Sequence, residues 1–379
     1  MIAAPKSLEM PMTAKPEIQA EKRASQASPG LLLARARYTA AQSLRVVWYA
    51  SHYRLARSLS SPLQPQTQPA THASKAKIDA RAFQKRFRDL FEQDRANIEA
   101  GLYPAPHDLN PRRLWQALNN SRRFFEDLPR VDSRRTARKG TEVREQLAGN
   151  GPYPAYYLQN FHYQSGGWLT QESAKLYDTQ VEILFGGAAD AMRRIALGAL
   201  ARAWRGADHR HLKLLDVACG NGRFLSQALE AFPRLTAHGL DLSPAYVEEA
   251  RARLRPWPKV DVAMGMAEAM PLADQSFDGA TCIYLFHELP PKVRPMVAKE
   301  ISRVVKPGGI VILADSLQMQ DAPELNDVLE LFPAGFHEPF YGSYLKEDLV
   351  RMLGQAQLEL EETRLAFLTK VMRFRKMGS

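Results

Sequence analysis

The spacing of hydrophobic and polar residues changes twice along the chain. Residues 31–59 carry large apolar side chains at intervals of three and four, which predicts a long helix with one apolar face. Residues 61–74 are rich in Pro, Gln, Thr and Ser, and this composition is typical of a linker because it can bury little area. From about residue 210 onward, short apolar strands alternate with helical segments, which predicts a parallel sheet with crossover helices.

The segments before this sheet are predicted to be mostly helical. Residues 1–30 predict a disordered tail, since they are rich in Ala, Ser, Pro and Lys. A helix is predicted over 78–100, and the stretch from there to Gly151 predicts short helices with many arginines. Two more helices are predicted over 170–185 and 188–204. The expected organisation is a tail, basic helix and linker (1–74), a helical cap region (75–205) and the alternating domain (206–379).

A glycine-rich turn follows the first strand of the alternating domain. Residues 214–225 form an apolar strand, a Gly220-Asn221-Gly222 turn and the start of a helix. Glycine lets the backbone approach a ligand closely, and a helix N-terminus presents free N–H groups. A second strand ends in Asp241, whose carboxylate can accept hydrogen bonds from a ribose diol.

Later strands are predicted over 260–264, 279–284 and 310–314, with Lys306-Pro307-Gly308-Gly309 ending the helix before the last of them. This ordered set resembles the class I S-adenosylmethionine-dependent methyltransferases, and in particular the branch with the ubiquinone/menaquinone C-methyltransferases. The resemblance covers residues 211–316 firmly and the remaining tail loosely.

The resemblance implies an α/β fold, with a Rossmann-like, seven-stranded, mostly parallel sheet and an N-terminal helical region. Strand six would lie over 358–366, and strand seven, over 369–374, would run antiparallel. The domain over 206–379 would bind S-adenosyl-L-methionine. The residues implied in cofactor binding are Asp216, Ala218, Gly220, Asn221, Gly222, Asp241, Leu242, Met266, Ala267 and Glu268.

Within that set, Asp241 would hold the ribose and Leu242 would lie against the adenine. The chain departs from the family pattern at one place. Many relatives carry an acid directly after the glycine that corresponds to Gly265, and this chain has Met266 there. The adenine amino group would then be read by backbone atoms or by Glu268.

Two histidines are candidates for a catalytic general base. His287 follows strand four, and ligands of open α/β sheets bind outside the carboxyl ends of the strands. His337 lies in a Pro- and Gly-rich stretch that could form a lid. A histidine can take a proton from a hydroxyl or enol because its pKa lies near working pH. A packing or hydrogen-bonding role is the alternative for both.

Aromatic and amide side chains are dense over residues 153–168. This segment precedes the cofactor domain and could cover the pocket and select a flat or apolar acceptor. The alternative is a helical cap that only packs. The residues predicted to contact the substrate are Tyr157, Asn160, His162, Trp168, Tyr284, Phe286 and Tyr341.

Positive charge is concentrated near the N-terminus. Residues 1–150 hold 26 of the 51 Lys and Arg residues but only 14 of the 41 Asp and Glu residues, which points to an anionic partner surface. In residues 31–59 the apolar stripe is flanked by arginines, so this segment predicts an interfacial helix on an anionic membrane. Packing on the core is the alternative. No nucleic-acid-binding motif is recognisable, so no such partner is assigned.

Several classes of protein are disfavoured by composition. No apolar run approaches the roughly 20 residues of a membrane span. The two cysteines, Cys219 and Cys282, are too few for a disulfide framework, and no metal-ligand spacing is visible. We expect a cytoplasmic, membrane-associated enzyme that methylates a small lipophilic acceptor such as a quinone-like ring or a lipid. The alternatives are a protein or nucleic-acid methyltransferase that uses the basic N-terminal region, and a non-catalytic adaptor.

Overall fold

A computed structural model describes residues 28–62, 79–106, 111–147 and 153–378. Most of the predicted tail and linker therefore lies outside the described residues. The helices are α1 (Pro29–Leu59), α2 (Ala80–Glu99), α3 (Pro111–Ala137), α4 (Glu142–Leu147), α5 (Gln171–Leu184), α6 (Ala189–Ala203), α7 (Arg223–Ala231), α8 (Pro244–Leu254), α9 (Arg294–Val304), α10 (Asn326–Gly335), α11 (Tyr341–Tyr344) and α12 (Leu349–Gln355). The strands are β1 (Lys213–Val217), β2 (Thr236–Asp241), β3 (Val260–Met264), β4 (Phe277–Ile283), β5 (Val305–Ser316), β6 (Leu358–Ala366) and β7 (Thr369–Lys376).

The seven strands form one sheet in the order β3-β2-β1-β4-β5-β7-β6. Strands β1 to β5 pair in parallel, and β7 runs antiparallel between β5 and β6. The predicted Rossmann-like sheet with an N-terminal helical region is confirmed. The strand order reverses between β1 and β4, and such a reversal opens a crevice outside the carboxyl ends of the strands.

The chain between β2 and α8 shows how local sequence shapes this edge of the sheet. The Ser243 hydroxyl accepts a hydrogen bond from the backbone N–H of Tyr246 at 3.2 Å and so caps the helix. Pro244 stands in the first turn, where its missing N–H costs nothing. The helix therefore begins directly after β2 and leaves Asp241 at the strand end.

The expectation of short helices between the helix over 78–100 and Gly151 agrees with the six-residue α4 but is wrong for residues 111–137. Residues 111–137 form the single long helix α3, which continues through Pro129. Tertiary contacts hold it: the Asn120 side-chain amide donates to the Thr179 hydroxyl at 3.2 Å, and the Ser121 hydroxyl lies 2.9 Å from His52 Nε2. Packing against α1 and α5 outweighs the loss of one backbone hydrogen bond at the proline.

Strand β5 is also longer than predicted. Helix α9 ends at Val304 as expected, but the chain enters the sheet at once, and residues 306–309 belong to β5 rather than to a turn. The register between β4 and β5 shifts in this region, as in a β-bulge, and Gly308 takes a positive φ of 76°. Glycine therefore permits an irregular strand here in place of a loop.

A buried polar network ties α1 and α2 to the rest of the protein. The Asp94 carboxylate is fully buried on α2 and accepts two hydrogen bonds from the Arg194 guanidinium of α6, at 2.9 and 2.6 Å. The hydroxyls of Tyr38 and Tyr103 donate to the same carboxylate at 2.6 and 2.8 Å. Because a bidentate charged pair depends on close geometry, this network fixes α1 and α2 against α6. Among the described helices, none is both long enough and apolar enough to cross a bilayer.

Candidate active site

A cavity of about 1040 Å³, its open mouth included, lies at the carboxyl ends of β1, β2 and β4. Eight of the residues predicted to bind the cofactor line it: Asp216, Ala218, Gly220, Asn221, Asp241, Leu242, Ala267 and Glu268. Gly222 and Met266 do not line it. The crevice at the strand reversal thus gathers most of the predicted set, although their individual roles remain predictions.

The two glycines of the turn after β1 have different surroundings and different roles. A Cβ atom on Gly220 would meet only Tyr246 Cδ1 at 3.9 Å, so this backbone borders open space. A Cβ on Gly222 would lie 3.2 Å from Ala250 Cβ and Leu254 Cδ1. Gly222 therefore allows α7 and α8 to approach each other, and its positive φ of 75° suits glycine.

Two carboxylates lie at the inner wall of the cavity. Asp241 Oδ2 accepts the Gly220 N–H at 2.8 Å, Asp241 Oδ1 accepts the Ser243 N–H at 2.9 Å, and burial raises the pKa of Asp241 to about 6. Asp216 Oδ1 accepts from the Thr281 hydroxyl at 2.6 Å, and burial raises the pKa of Asp216 to about 7. Both groups sit where a polar ligand could satisfy their remaining lone pairs.

Positive charge reaches the cavity through a buried ion-pair cluster that sequence reasoning missed. Arg193 and Arg223 line the cavity and contact Asp190 of α6, with Arg193 Nη1 3.2 Å from Asp190 Oδ1. Arg45 Nη2 of α1 lies 2.9 Å from Asp190 Oδ2 and 2.7 Å from Glu182 Oε1. Arg193 and Arg223 also lie near partly buried Asp178, whose Oδ2 is 2.7 Å from Arg253 Nη2, so four guanidinium groups face three carboxylates and the wall keeps positive charge for an anion. The charged residues Asp190, Arg193 and Arg194 within a largely apolar α6 were the available signal.

The aromatic segment before α5 covers the cavity in part. Tyr156, Tyr157 and Trp168 line it, and the Tyr156 hydroxyl donates to the Glu268 carboxylate. Asn160 lines neither this cavity nor the second one described below. It is fully buried, accepts from the Val143 N–H at 3.1 Å and donates to a backbone carbonyl at 3.0 Å. Its visible contacts are those of a residue that holds the loop together.

A second cavity of about 630 Å³, its open mouth included, adjoins the first. Tyr177, Tyr284 and Glu288 line both cavities and so form the boundary between them. The other lining residues of the second cavity are His162, Val181, Leu184, Phe185, His287, Ser316, Val328, Leu329, Phe332, Tyr341 and Leu368. Of the predicted substrate residues it contains His162, Tyr284 and Tyr341, whereas Phe286 is fully buried in the core.

The two candidate bases have different surroundings. His287 Nδ1 lies 2.6 Å from Asp315 Oδ1. Burial lowers the pKa of His287, but the Asp315 carboxylate outweighs burial and the pKa rises to about 9. His337 lines neither of the two cavities; its Nε2 lies 2.8 Å from Gln159 Oε1, and burial lowers its pKa. His287 is therefore a charged group at the second cavity rather than a free neutral base.

Comparison with known proteins identifies the domain that builds this site. Residues 214–309 match a family model described as a methyltransferase domain. The chain contains a class I S-adenosylmethionine-dependent methyltransferase domain. It is 30% identical over 124 residues to demethylmenaquinone methyltransferase of Lysinibacillus sphaericus, covering 31% of this chain and 52% of the relative. It is 32% identical over 162 residues to ubiquinone/menaquinone biosynthesis C-methyltransferase of Methylobacterium nodulans, covering 42% and 62% respectively.

The chain thus spans only about half to three fifths of the length of these curated relatives. A solved S-adenosylmethionine-dependent methyltransferase from Aquifex aeolicus is 17% identical, with a TM-score of 0.36, covering 48% of this chain and 89% of that one. The fold assignment rests on the strand order and the family match.

The cofactor of the methyltransferase domain is S-adenosyl-L-methionine, and the cavity suits its groups. Asp241 and Asp216 offer buried carboxylate oxygens to hydroxyl and ammonium donors. Arg193 and Arg223 bring positive charge to the same wall, where a carboxylate could lie. The Ala267–Glu268 edge lines the cavity as the family pattern implies, with Glu268 already engaged by Tyr156.

Proposed function

We propose that this protein transfers a methyl group from S-adenosyl-L-methionine to a small lipophilic acceptor. The observation that supports the proposal is the second cavity, whose wall is largely aliphatic and aromatic and which meets the cofactor cavity at Tyr177, Tyr284 and Glu288. An apolar ligand gains about 25 cal/mol for each Å² of apolar surface removed from water. An acceptor in the second cavity would therefore be held next to the cofactor.

The protein's own residues would act mainly by positioning. Asp241, Asp216 and Arg193 would bind the cofactor, which supplies an electrophilic methyl group when bound. The aromatic cover with Tyr157 and Trp168 would exclude water. Tyr284 has a positive φ of 61°, and its hydroxyl lies 2.7 Å from the Thr369 hydroxyl, so its ring is held between the two cavities. Alignment of two bound reactants is itself a large catalytic effect.

Base catalysis by His287 or His337 remains part of the proposal. His287 is the better placed of the two because it lines the second cavity, but it would first have to lose the proton that Asp315 stabilises. Base assistance contributes about 10²–10⁴-fold to a rate. If His287→Ala and His337→Ala both methylate the acceptor at the wild-type rate, neither histidine is the base.

Relatives support the choice of acceptor class. Two of them are named for methyl transfer to demethylmenaquinone and for ubiquinone/menaquinone biosynthesis, and a quinone with a hydrocarbon tail fits an apolar cavity. We also propose that α1 brings the enzyme to an anionic membrane surface, where such acceptors would be concentrated. Leu44, Val47 and Leu55 of the predicted stripe are about half to two thirds exposed, so the core does not use them.

The test is a methyl-transfer assay with labelled cofactor and a panel of acceptors. The panel contains reduced quinones with isoprenoid tails, phenolic lipids, catechol, transfer RNA and a basic peptide. Transfer to the tailed ring compounds supports the proposal. Transfer only to RNA or peptide would favour a macromolecular substrate, and cofactor binding without transfer to any acceptor would favour an adaptor.

A variant pair makes the test specific for the second cavity. Leu329 is buried in its wall, and Leu331 on the same helix is 36% exposed. Leu329→Gln would place an amide without a partner in the wall, which costs about 1–3 kcal/mol. We expect the KM for the acceptor to rise about tenfold or more while cofactor affinity stays unchanged. Leu331→Gln should behave like the wild type.

A further inference from the structure

Side chains from three separate segments meet beside the second cavity. His162 comes from the turn over 161–163, Glu288 from the turn after β4, and Glu338 from the chain between α10 and α11. One ligand-type atom of each lies within 4.8 Å of the others. One imidazole and two carboxylates at this separation could contact one metal ion after small side-chain movements.

The burial of Glu338 and its lack of hydrogen-bond partners indicate a cation at this place. Glu338 is 5% exposed, and its Oε1 lies 2.5 Å from His162 Nε2 outside hydrogen-bonding geometry. Neither Glu338 oxygen has a hydrogen-bond partner, and neither has His162 Nε2. Among the described residues, no Lys or Arg side chain pairs with Glu288 or Glu338. Burying the Glu338 carboxylate without a hydrogen-bond partner costs several kcal/mol. His287 Nε2 lies 3.9 Å from Glu288 Oε1, but that imidazole is already paired with Asp315, so Glu288 and Glu338 together still call for a positive charge.

We infer that His162, Glu288 and Glu338 bind one divalent transition-metal ion of the Mn²⁺, Fe²⁺ or Zn²⁺ class. Calcium and magnesium ions favour sites built from oxygen ligands, whereas imidazole suits first-row transition metals. Three protein ligands leave coordination positions open. Because His162 and Glu288 both line the second cavity, an oxygen of a molecule in that cavity can complete the coordination.

The role of the ion rests on the proposed function, but its binding does not. In methyl transfer to a phenolic or enolic acceptor, a metal-bound oxygen would be held in place and would ionise more readily. The metal content of the protein can be measured directly, whatever the acceptor proves to be.

The experiment uses the full chain, stripped with EDTA, desalted and titrated with MnCl₂ or ZnCl₂ by calorimetry. Bound metal is counted by mass spectrometry. We expect one ion per chain. Glu338→Gln should lower the affinity at least about 100-fold, because loss of an outer-shell partner already costs 10–100-fold. Glu330→Gln removes an exposed carboxylate from nearby α10 and should bind metal like the wild type.

A second variant, His162→Asn, tests the site if Glu338→Gln fails to fold. His162 has a positive φ of 55°, a conformation that asparagine tolerates better than most residues, so His162→Asn removes the imidazole with little backbone strain. Melting curves of the metal-free variants show that they are folded. Wild-type metal affinity in both folded variants, or no metal binding by the wild type, would overturn the inference. Metal binding without methylation of any acceptor would overturn the proposed function and leave the site standing.

Discussion

Two identical triplets occur in the chain: Phe286-His287-Glu288 follows β4, and Phe336-His337-Glu338 follows α10. In both, the histidine is bound to a neighbour, Asp315 in one case and Gln159 in the other. The two glutamates instead approach each other beside His162. At the scale of single residues, the acidic member of each triplet is thus the one with free ligand capacity.

The His287–Asp315 pair leads to a prediction about stability. Asp315 is fully buried, and removal of one partner of a buried pair typically costs about 3–5 kcal/mol. We expect His287→Ala to lower the free energy of unfolding by about that amount in urea denaturation. The double variant with Asp315→Asn should lose less than the sum of the two single variants. Strictly additive losses would show that the pair is not coupled.

The Asp241 carboxylate leads to a prediction about pH. Only the ionised form accepts hydrogen bonds at both oxygens, and the pKa of about 6 belongs to the protein without ligand. Protonation of Asp241 should therefore lower cofactor affinity by up to about tenfold per unit below pH 6, in addition to any change that Asp216 causes near pH 7. Calorimetry between pH 5 and 8 measures this dependence.

Two variants at the same position complete the test. Asp241→Ala should weaken cofactor binding by roughly 1.5–3 kcal/mol at pH 7.5, the value of a hydrogen bond to a charged group. Asp241→Asn should bind weakly and lose the pH step near 6. A step that persists in Asp241→Asn would assign the titration to another group, such as Asp216.

Helix α1 has two faces with different surroundings. One face carries Tyr38, Gln42 and Ala56, which are buried against the protein. The other carries Leu44, Val47 and Leu55, whose side chains are about half to two thirds exposed and do not pack in the core. A helix of this kind binds an interface through its apolar face and flanking cations.

Vesicle sedimentation tests that use of α1. The wild type should sediment with vesicles that contain phosphatidylglycerol, and less so at high salt, because exposed charges are screened over about 8–10 Å at near-physiological ionic strength. Leu44→Glu should release it. Thr39→Glu makes the same charge change at an exposed position outside the stripe and should bind more tightly than Leu44→Glu. Equal binding of both variants would rule out contact through this face.

Helix α1 is joined to the cofactor cavity through Arg45. Arg45 pairs with Asp190, and Asp190 also holds Arg193 and Arg223 at the cavity wall. A truncation that removes α1 would therefore disturb the cofactor site as well as any membrane contact. Because the separate segments of the chain share one polar network, point variants test each role more specifically than a truncation does.

The size of this coupling can be predicted. Arg45→Met should lower the free energy of unfolding by about 3 kcal/mol, because it leaves buried Asp190 and Glu182 with one cation fewer. Cofactor affinity should fall in the same variant. Arg57→Met changes an exposed arginine on the same helix and should alter stability by no more than about 0.5 kcal/mol. Equal unfolding curves for the two variants would contradict the coupling.

The sequence alone determined the fold class and the location of the cofactor crevice. Alternating apolar strands and helices require a parallel sheet, and the Gly220–Gly222 turn and Asp241 mark strand ends by local chemistry. These features depend on residues that are close in sequence, so they set the local backbone conformation wherever the element lies in the fold. For the same reason most helices and strands were predicted within a few residues of their ends.

Which distant side chains meet depends on the packing of the folded chain. His162, Glu288 and Glu338 are far apart in the chain, and nothing in their local sequence indicates that they converge. The partner of His287, the continuation of α3 through Pro129 and the exposed face of α1 likewise depend on long-range packing. Such contacts follow from how whole elements bury their surfaces against one another, and a single sequence carries no direct record of that arrangement.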